Sequence, residues 1–387
     1  MKKYTALLIS DIHFSNRLPG AKPGENGVTD RLADQLAMLG RVRQTAIDKN
    51  VDGVFILGDL FDQSRVDPIT LTEAVRAIAA FEKPVRILPG NHDAVNTKGS
   101  RFAVEAFGVM GNPNIRYMKT GVAVRPFANK ATGDKGWLTF HPVGYSSQEE
   151  AEKSIAAAGL RAARAGCEVL LMHHSIMGSK HGDWVCDDGL DPAFVCERFS
   201  WVFSGHFHTS AYFGPKSNGM YLGAPLHLRI EDEGRDACYH VVTFYEDGTR
   251  SYESIDGGCP KFHTLQFPVG ADESKLGIVG LKKQDYIRIV CVATQTEWAL
   301  AKPRIVECEE ILTGRGFRVS HQHKPVYHHA VRSVDATTGE PLIAAAANPE
   351  SAIAAYVDSE SVDTNGLDKK ILQRIGREAL EAARGAA

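Results

Sequence analysis

The chain has 387 residues, which suits one large domain with one or two smaller pieces and allows a sizeable core. Hydrophobic residues make up 43% and charged residues 24%, with no low-complexity tract, so a chain disordered throughout is excluded in favour of a soluble globular protein. A formal net charge of -3 provides no global attraction for a polyanion, and any binding of nucleic acid has to come from a local basic patch or a bound metal.

Residues 4–10 (YTALLIS) read as a short, fully buried strand. Leu32, Leu36, Leu39 and Ile47 then fall near one face of a helix that follows Thr29. VDGVFILGD repeats the strand pattern, and Asp67 with Pro68 forms an N-cap and first-turn pair for a helix carrying Leu71, Val75 and Ile78. KPVRILPGN is a third strand, 147–164 a third helix, and CEVLLMHH and SWVFSGH two more strands. Each strand is an apolar run that ends in a polar cluster. This strand and helix order argues for a layered α/β domain whose active-site residues gather on the loops leaving the strands.

From about residue 209 the pattern turns to β. AYFG, GMYLGAP, YHVVTFYEDGT and RSYESID read as successive strands of a second sheet that completes a first domain over 1–258. YIRIVCVAT, a helix over 299–312 and a strand near FRVSH make a small α+β domain over 259–340. A helical segment over 341–387 closes the sequence. It holds the patterns SAIAAYVDSE and LDKKILQRIGREALEAA, the latter with an apolar stripe of Leu367, Ile371, Leu372, Ile375 and Leu380.

Seven cysteines, odd in number and without a CxxC pair, argue against a disulfide framework or zinc ribbon and for reduced thiols in a cytoplasm. No run is long enough to cross a bilayer, and Asp11 ends the first apolar stretch short of a signal-peptide core, so no membrane association is expected.

Five polar clusters stand in order after predicted strands: Asp11-Ile12-His13, Gly58-Asp59-Leu60-Phe61-Asp62, Gly90-Asn91-His92-Asp93, His173-His174 and Gly205-His206-Phe207-His208. One such cluster alone is ordinarily a turn with a capping Asp or Asn; five together point to a metal centre. Carboxylate, imidazole and amide oxygens suit divalent ions of intermediate hardness such as manganese, iron or zinc. These side chains hold two ions only if one is shared, and a carboxylate such as Asp59 bridges well.

DxH, GDxxD, GNHD, an isolated His after a strand and GHxH, in that order, resemble the calcineurin-like metallophosphoesterase superfamily over roughly the first 210 residues. The resemblance implies a β-sandwich flanked by helices, with Asp11, His13, Asp59 and His208 around one metal and Asp59, Asn91, His173 and His206 around the other. His173 is taken as the ligand because it comes first beyond the strand, with His174 as the alternative and as a residue contacting ligand or phosphate. His92 is the expected non-ligand catalytic group, oriented by Asp62 and either stabilising the transferring phosphoryl group or protonating the leaving oxygen, with water activated by the ions as nucleophile.

Within the superfamily the chain resembles the Mre11/SbcD nucleases and their phage recombination-endonuclease members. Gly58-Asp59-Leu60-Phe61-Asp62 carries the likeness, with Asp at its fifth position as in SbcD and phage relatives where many Mre11 proteins have His. YLGAPLHLRIEDEG after GHFH carries it further. That likeness implies a manganese-dependent exonuclease, with endonuclease action on single strands or hairpins. Iron, zinc or magnesium are alternative ions. It further implies a homodimer joined to an SbcC/Rad50-like coiled-coil ATPase, with 259–340 capping DNA and the last segment gripping the ATPase. A small-molecule phosphodiesterase or protein phosphatase shares all five motifs; the second motif lacks the Asp-Arg-Gly continuation of serine/threonine phosphatases. A scaffold of the same fold usually shows lost ligands, and here the set is intact.

Three further groups of polar residues stand outside these motifs. His321, His323, His328 and His329 form an HxH and an HH, and are read as an exposed polar strand and loop in preference to a zinc site. His181 and Trp184 lie in a loop close in sequence to His173, and are read as exposed loop residues in preference to lining the substrate cleft. Basic residues at 282, 283, 288, 302 and 304 form either a phosphate-binding face or scattered solvated charge.

Overall fold

The computed structural model describes residues 1–96, 99–128, 136–161, 166–181, 184–270, 278, 280–326 and 368–385. In chain order, the first half runs β1 (Lys3–Ile9), α1 (Asp30–Asp48), β2 (Gly53–Leu57), α2 (Pro68–Ala79), β3 (Val85–Leu88), α3 (Ala106–Val109), β4 (Ile115–Tyr117), β5 (Leu138–Val143), α4 (Gln148–Arg161) and β6 (Cys167–His173). Two short strands β7 (Lys180–His181) and β8 (Trp184–Val185) precede α5 (Pro192–Cys196), β9 (Trp201–Gly205), β10 (Ala211–Phe213) and β11 (Gly219–Tyr221). The remainder comprises β12 (Cys238–Tyr245), β13 (Arg250–Asp256), β14 (Phe262–Gln266), β15 (Tyr286–Ala293), α6 (Gln295–Gly314), β16 (Arg318–Pro325) and α7 (Lys369–Gly385).

Two sheets dominate, one ordered β13-β12-β1-β2-β3-β4 and the other β10-β11-β9-β6-β5. Period-two alternation of uninterrupted apolar strands explains why they stack. Ala6, Leu8, Phe55 and Leu57 of the first sheet share one core with Phe140, Val169, Leu171 and Phe203 of the second. Their neighbours Leu7, Ile9, Val54 and Ile56 point the other way, onto Leu32, Leu39 and Val42 of α1 and Ala74 and Ile78 of α2. Leu170, Met172 and Val202 likewise cover Ala151, Ile155 and Ala158 of α4. The result is a four-layer α/β sandwich. Its helices begin where the sequence marks them: the Thr29 side chain accepts from the Leu32 amide, and the Asp67 carboxylate accepts from Ile69 and Thr70 with Pro68 following.

The strands over 211–256 do not form a sheet of their own, which corrects the expectation from sequence. β10 and β11 extend the second sheet beside β9, while β12 runs antiparallel to β1, with Leu7 opposite Val241, and brings β13 to the edge of the first sheet. β12 is apolar on both faces and needs a place covered on both sides, which the free side of β1 supplies. β5 has no counterpart among the strands expected from sequence; it carries Pro142 and lies at a sheet edge, where a missing N–H is tolerated.

The described residues fall in two compact units, Met1–Val290 with Pro303–Gln322, and Cys291–Lys302 with His323–Ala387. The first contains the sandwich and the parallel pairing of β14 with β15, in which Phe262 faces Tyr286. In the second, the His323 ring stacks on Trp298 at 4.6 Å and donates to the Ala293 carbonyl at 2.8 Å. α7 exposes Ile371 and Ile375. The pattern SAIAAYVDSE, Leu367, His328 and His329 lie outside the described residues, as do the side chains of His181 and Leu380.

Candidate metal centre

β1, β2 and β3 are adjacent and parallel in one sheet, and β6 and β9 in the other, so their C-terminal ends meet along one edge of the sandwich. The loops leaving them are tied together by backbone: Asp11 N–H donates to Gly58 O at 3.1 Å and His13 N–H to Asp59 O at 3.0 Å. Asp59 Oδ1 accepts from the His92 amide at 2.8 Å, and Asp11 Oδ1 from the His206 amide at 3.0 Å. Asp11, His13, Asp59 and His206 all have left-handed backbone, with φ of 53°, 51°, 48° and 95°. Non-glycine residues in that region are strained, and such strain persists where surrounding structure over-determines it. The preceding glycines are steric necessities, since a Cβ on Gly58 would overlap the His173 imidazole and one on Gly90 the Asp59 carboxylate.

The side chains converge in three overlapping groups, one of them His13, Asp62 and His92. Asp11, His13 and His208 offer donor atoms all within 4.8 Å of one another, and so do Asp11, Asp59 and His173. Asp59 Oδ2 lies 3.6 Å from His13 Nε2 and 3.2 Å from His173 Nε2, between the groups. Asn91 Oδ1 stands 3.1 Å from His173 Nε2 and 2.9 Å from His206 Nδ1. The residues expected to share one centre from five separate loops are thus brought together.

Their hydrogen bonds favour a cation there. With Nδ1–H of His173 donated to Leu57 O at 2.8 Å and Nε2–H of His206 to Ser175 Oγ at 2.9 Å, the lone pairs of His173 Nε2, His206 Nδ1 and Asn91 Oδ1 face one point. His13 Nε2 and His208 Nε2 similarly face each other at 3.2 Å. Buried acceptors turned on one another are costly without a positive partner, and a divalent ion supplies it. In the metal-free protein a proton does so in part. Burial disfavours the charged His173 ring, yet the Asp59 and Asp11 carboxylates overcome this and raise its pKa to about 9. Burial and His173 push His206 down to about 3, and burial lowers His13, so these two imidazoles are neutral and ready to ligate.

His174 turns away from this cluster. Its Nε2 meets Gly144 O at 3.0 Å, its ring stacks on Tyr145 at 6.0 Å, and burial lowers its pKa to about 4. It lines a small pocket with Ser147, Ser175 and His206. His92 lies beside His13, ring centroids 4.6 Å apart. It is oriented by Asp62 in a different manner from that expected: Nδ1 donates to the Asp62 carbonyl at 2.7 Å, while the Asp62 carboxylate faces His13 Nδ1 at 3.4 Å. The carboxylate therefore serves His13 and leaves His92 with a neutral acceptor.

Three supporting residues are absent from the expectations drawn on sequence. Asp93, fully buried, accepts from the amides of Gly90 and Phe61 at 2.9 and 3.0 Å, locking two motif loops; burial and Asp59 raise its pKa to about 7. Its place in GNHD is the signal that could have marked it. Asp232 lies 3.8 Å from His208 Nδ1 and pairs with Arg235 at 3.0 Å. Ser175 holds His206, and nothing in its local sequence marks that role. Of the remaining histidines, His321 pairs with Glu309 at 2.6 Å and His323 with Trp298, so neither belongs to the convergent groups. Trp184 is half exposed with its ring 5.6 Å from Phe207. Lys282 and Lys283 line a depression that also contains Asp34 and Asp285, whereas Arg288 faces a different pocket.

A family description for calcineurin-like phosphoesterases matches residues 4–210, more than half of the sequence. The chain belongs to that family and is a phosphoester hydrolase of the kind that works with a dimetal centre. The SbcD component of the nuclease SbcCD from Escherichia coli (strain K12) is 23% identical over 256 residues, covering 58% of this chain and 63% of that protein. DNA double-strand break repair protein Mre11 of Archaeoglobus fulgidus is 34% identical over 79 residues, 19% of this chain and 18% of that one. The chain thus matches less than two thirds of the length of these relatives. A dimetal phosphatase from Danio rerio shares 12% identity over 66% of this chain and 96% of its own, with a TM-score of 0.42. Among the described residues no helix is long and apolar enough to cross a membrane.

Proposed function

We propose that this chain is a two-metal DNA nuclease that hydrolyses phosphodiester bonds as the nuclease component of an SbcCD/Mre11-Rad50-like assembly. The convergence of Asp11, His13, Asp59, Asn91, His173, His206 and His208, with Asp59 between two donor groups, carries the hydrolytic half of this reading. Similarity to an SbcD and an Mre11 supports the choice of DNA as substrate. Asp11, His13, Asp59 and His208 would hold one ion and Asp59, Asn91, His173 and His206 the other, with manganese the preferred metal for this mixed oxygen and nitrogen set. When bound, the pair of ions supplies Lewis acidity and a water that is nucleophilic at neutral pH.

The chain's own residues do the rest. Asp59 and Asp93 fix the Gly90-Asn91-His92 loop through backbone amides, so His92 keeps its position when substrate arrives. With Nδ1–H committed to the Asp62 carbonyl, a protonated His92 has Nε2–H free to donate to the leaving oxygen, and the neutral ring left behind recovers its proton from solvent. Ser175 and Asp232 hold His206 and His208 in one ring orientation. The small α+β part over 259–340 would cap DNA, and the segment over 341–387 would dock a coiled-coil ATPase, for which Ile371 and Ile375 on α7 are available apolar contacts. A homodimer follows from the same likeness.

The test sets cleavage of linear duplex, single-stranded and hairpin DNA beside turnover of bis-p-nitrophenyl phosphate, each with manganese and with chelator. Manganese-dependent cutting of DNA is expected. Turnover of the small ester with no DNA cleavage, even with an ATPase partner supplied, would replace this reading by a small-molecule phosphodiesterase.

A further inference from the structure

A pocket of about 450 Å³ is lined by none of the residues of the metal centre. Its interior is apolar, lined by Phe262, Ile287 and Val319, and its rim carries Lys22, Arg229, Arg288 and Arg318 with the single acid Glu231. Phe262 is held rigidly, stacked on Tyr286 at 4.7 Å with the Arg31 guanidinium 5.0 Å from its ring. Arg318 is already neutralised by Asp34 and Asp30. Among the described residues no carboxylate pairs with Lys22, Arg229 or Arg288, and the buried Arg288 Nε has no hydrogen-bond partner. A cavity of this size with unpaired cations at its mouth matches a ligand with a flat apolar body and an attached negative charge.

The pocket is joined to the metal centre by one turn, Ile230–Asp232. Arg229, Ile230 and Glu231 face the pocket, while Asp232 abuts His208. Three residues span at most about 10 Å, on the order of three steps of a stacked strand at about 3.4 Å each. Arg229 is also close enough for its charge to act on the Asp62 carboxylate.

We propose that this pocket takes one unpaired nucleotide of the strand running from the cleaved bond, its base against Phe262, Ile287 and Val319 and its phosphate on Arg229 and Arg288. The proposal rests on the nuclease reading and specifies how it handles a strand. It gives single-stranded or frayed DNA a grip that paired bases cannot use.

The test is fluorescence anisotropy of a short labelled oligothymidylate with the full chain in chelator, so that the pocket is read without metal. Ser320→Trp fills the pocket from an exposed position on its wall, and Arg288→Ala removes the rim cation. Each is expected to weaken binding roughly tenfold, with turnover of bis-p-nitrophenyl phosphate in manganese unchanged. An abasic strand should bind the wild type as weakly as oligothymidylate binds Ser320→Trp. Unaltered affinity in both variants, or an abasic strand bound as tightly as oligothymidylate, would overturn the pocket while DNA cleavage by the wild type kept the nuclease reading. A wild type that hydrolyses the small ester and never cuts DNA removes both.

Discussion

At the strand ends after β1, β2, β3, β6 and β9 the ionisable side chains are buried or half-buried and turned on one another. On the pocket near β14 and β15, by contrast, Lys22, Arg229 and Arg288 stand at a rim without a paired carboxylate among the described residues, and Arg318 alone is neutralised, by Asp34 and Asp30. The first arrangement concentrates charge at fixed points, which suits two small divalent ions of intermediate hardness. The second spreads charge over long side chains above an apolar floor, which suits a polyanion whose position varies. On the proposed reading, reacting atoms would be held by the rigid part and a strand by the adaptable one.

The contrast breaks most completely at Asp59, which stands between both donor groups. Asp59→Ala should lose bound manganese, read by elemental analysis after dialysis, and lower bis-p-nitrophenyl phosphate turnover by more than about 10³-fold. Full metal content in this variant would end its bridging role. His92→Ala should keep its metal and still lose about 10²- to 10⁴-fold in kcat, the worth of a positioned acid. Equal metal loss in the two variants would remove the division between holding ions and moving a proton.

How far the sequence could be read follows from the same contrast. Each ligand motif is a few consecutive residues after an apolar run, so strand pattern and chemistry coincide and all five loops were legible, with Gly58 and Gly90 standing in front of two of them. Asp232, Ser175 and the assembly of the cationic pocket were not, although Arg288 stands among the basic residues read as either a phosphate-binding face or scattered charge. Their partners are far apart in sequence: Arg229, Phe262, Arg288 and Val319 meet only after β14 and β15 pair. The destinations of β10 to β13 were hidden because a strand's pattern reports that both faces are covered and leaves its neighbour unspecified. The orientation of Asp62 differs from expectation because a backbone carbonyl, invisible to residue type, takes the role assigned to its carboxylate.

A buried pair elsewhere provides a control for the metal-directed cluster. His141 and Glu168 lie 2.6 Å apart on neighbouring strands with no ion-binding group around them among the described residues. Glu168→Ala leaves a buried imidazole without its carboxylate and should cost about 3 to 5 kcal/mol of stability in chemical denaturation, with manganese giving no specific rescue of the loss. Asp232→Ala should be milder for folding and act on the metal, weakening manganese affinity about 10- to 100-fold through a less firmly oriented His208. Unchanged affinity would reduce the 3.8 Å approach of Asp232 to incidental packing.

The smallest effect is also the most direct probe of the buried network. Because Asp59 and Asp11 outweigh burial and raise His173 to about 9, the metal-free protein carries a proton on that ring at neutral pH. The sign follows from linkage: stability from the charged ring is present below the free-histidine pKa and is lost as pH rises through about 9. An ion taking the site must expel that proton, so apparent manganese affinity should rise about tenfold per pH unit towards 9 and level off above it. His206, pushed to about 3, is neutral throughout and adds nothing to the slope. Asp93, raised to about 7 by burial and by Asp59, is drawn towards its ionised form by a cation beside Asp59, which steepens the slope below pH 7. Manganese titrations by calorimetry in buffers of different ionisation enthalpy read the number of protons released at each pH. No proton release between pH 7 and 9 would mean that His173 is already neutral, and the buried carboxylates would then have no counter-charge until metal arrives.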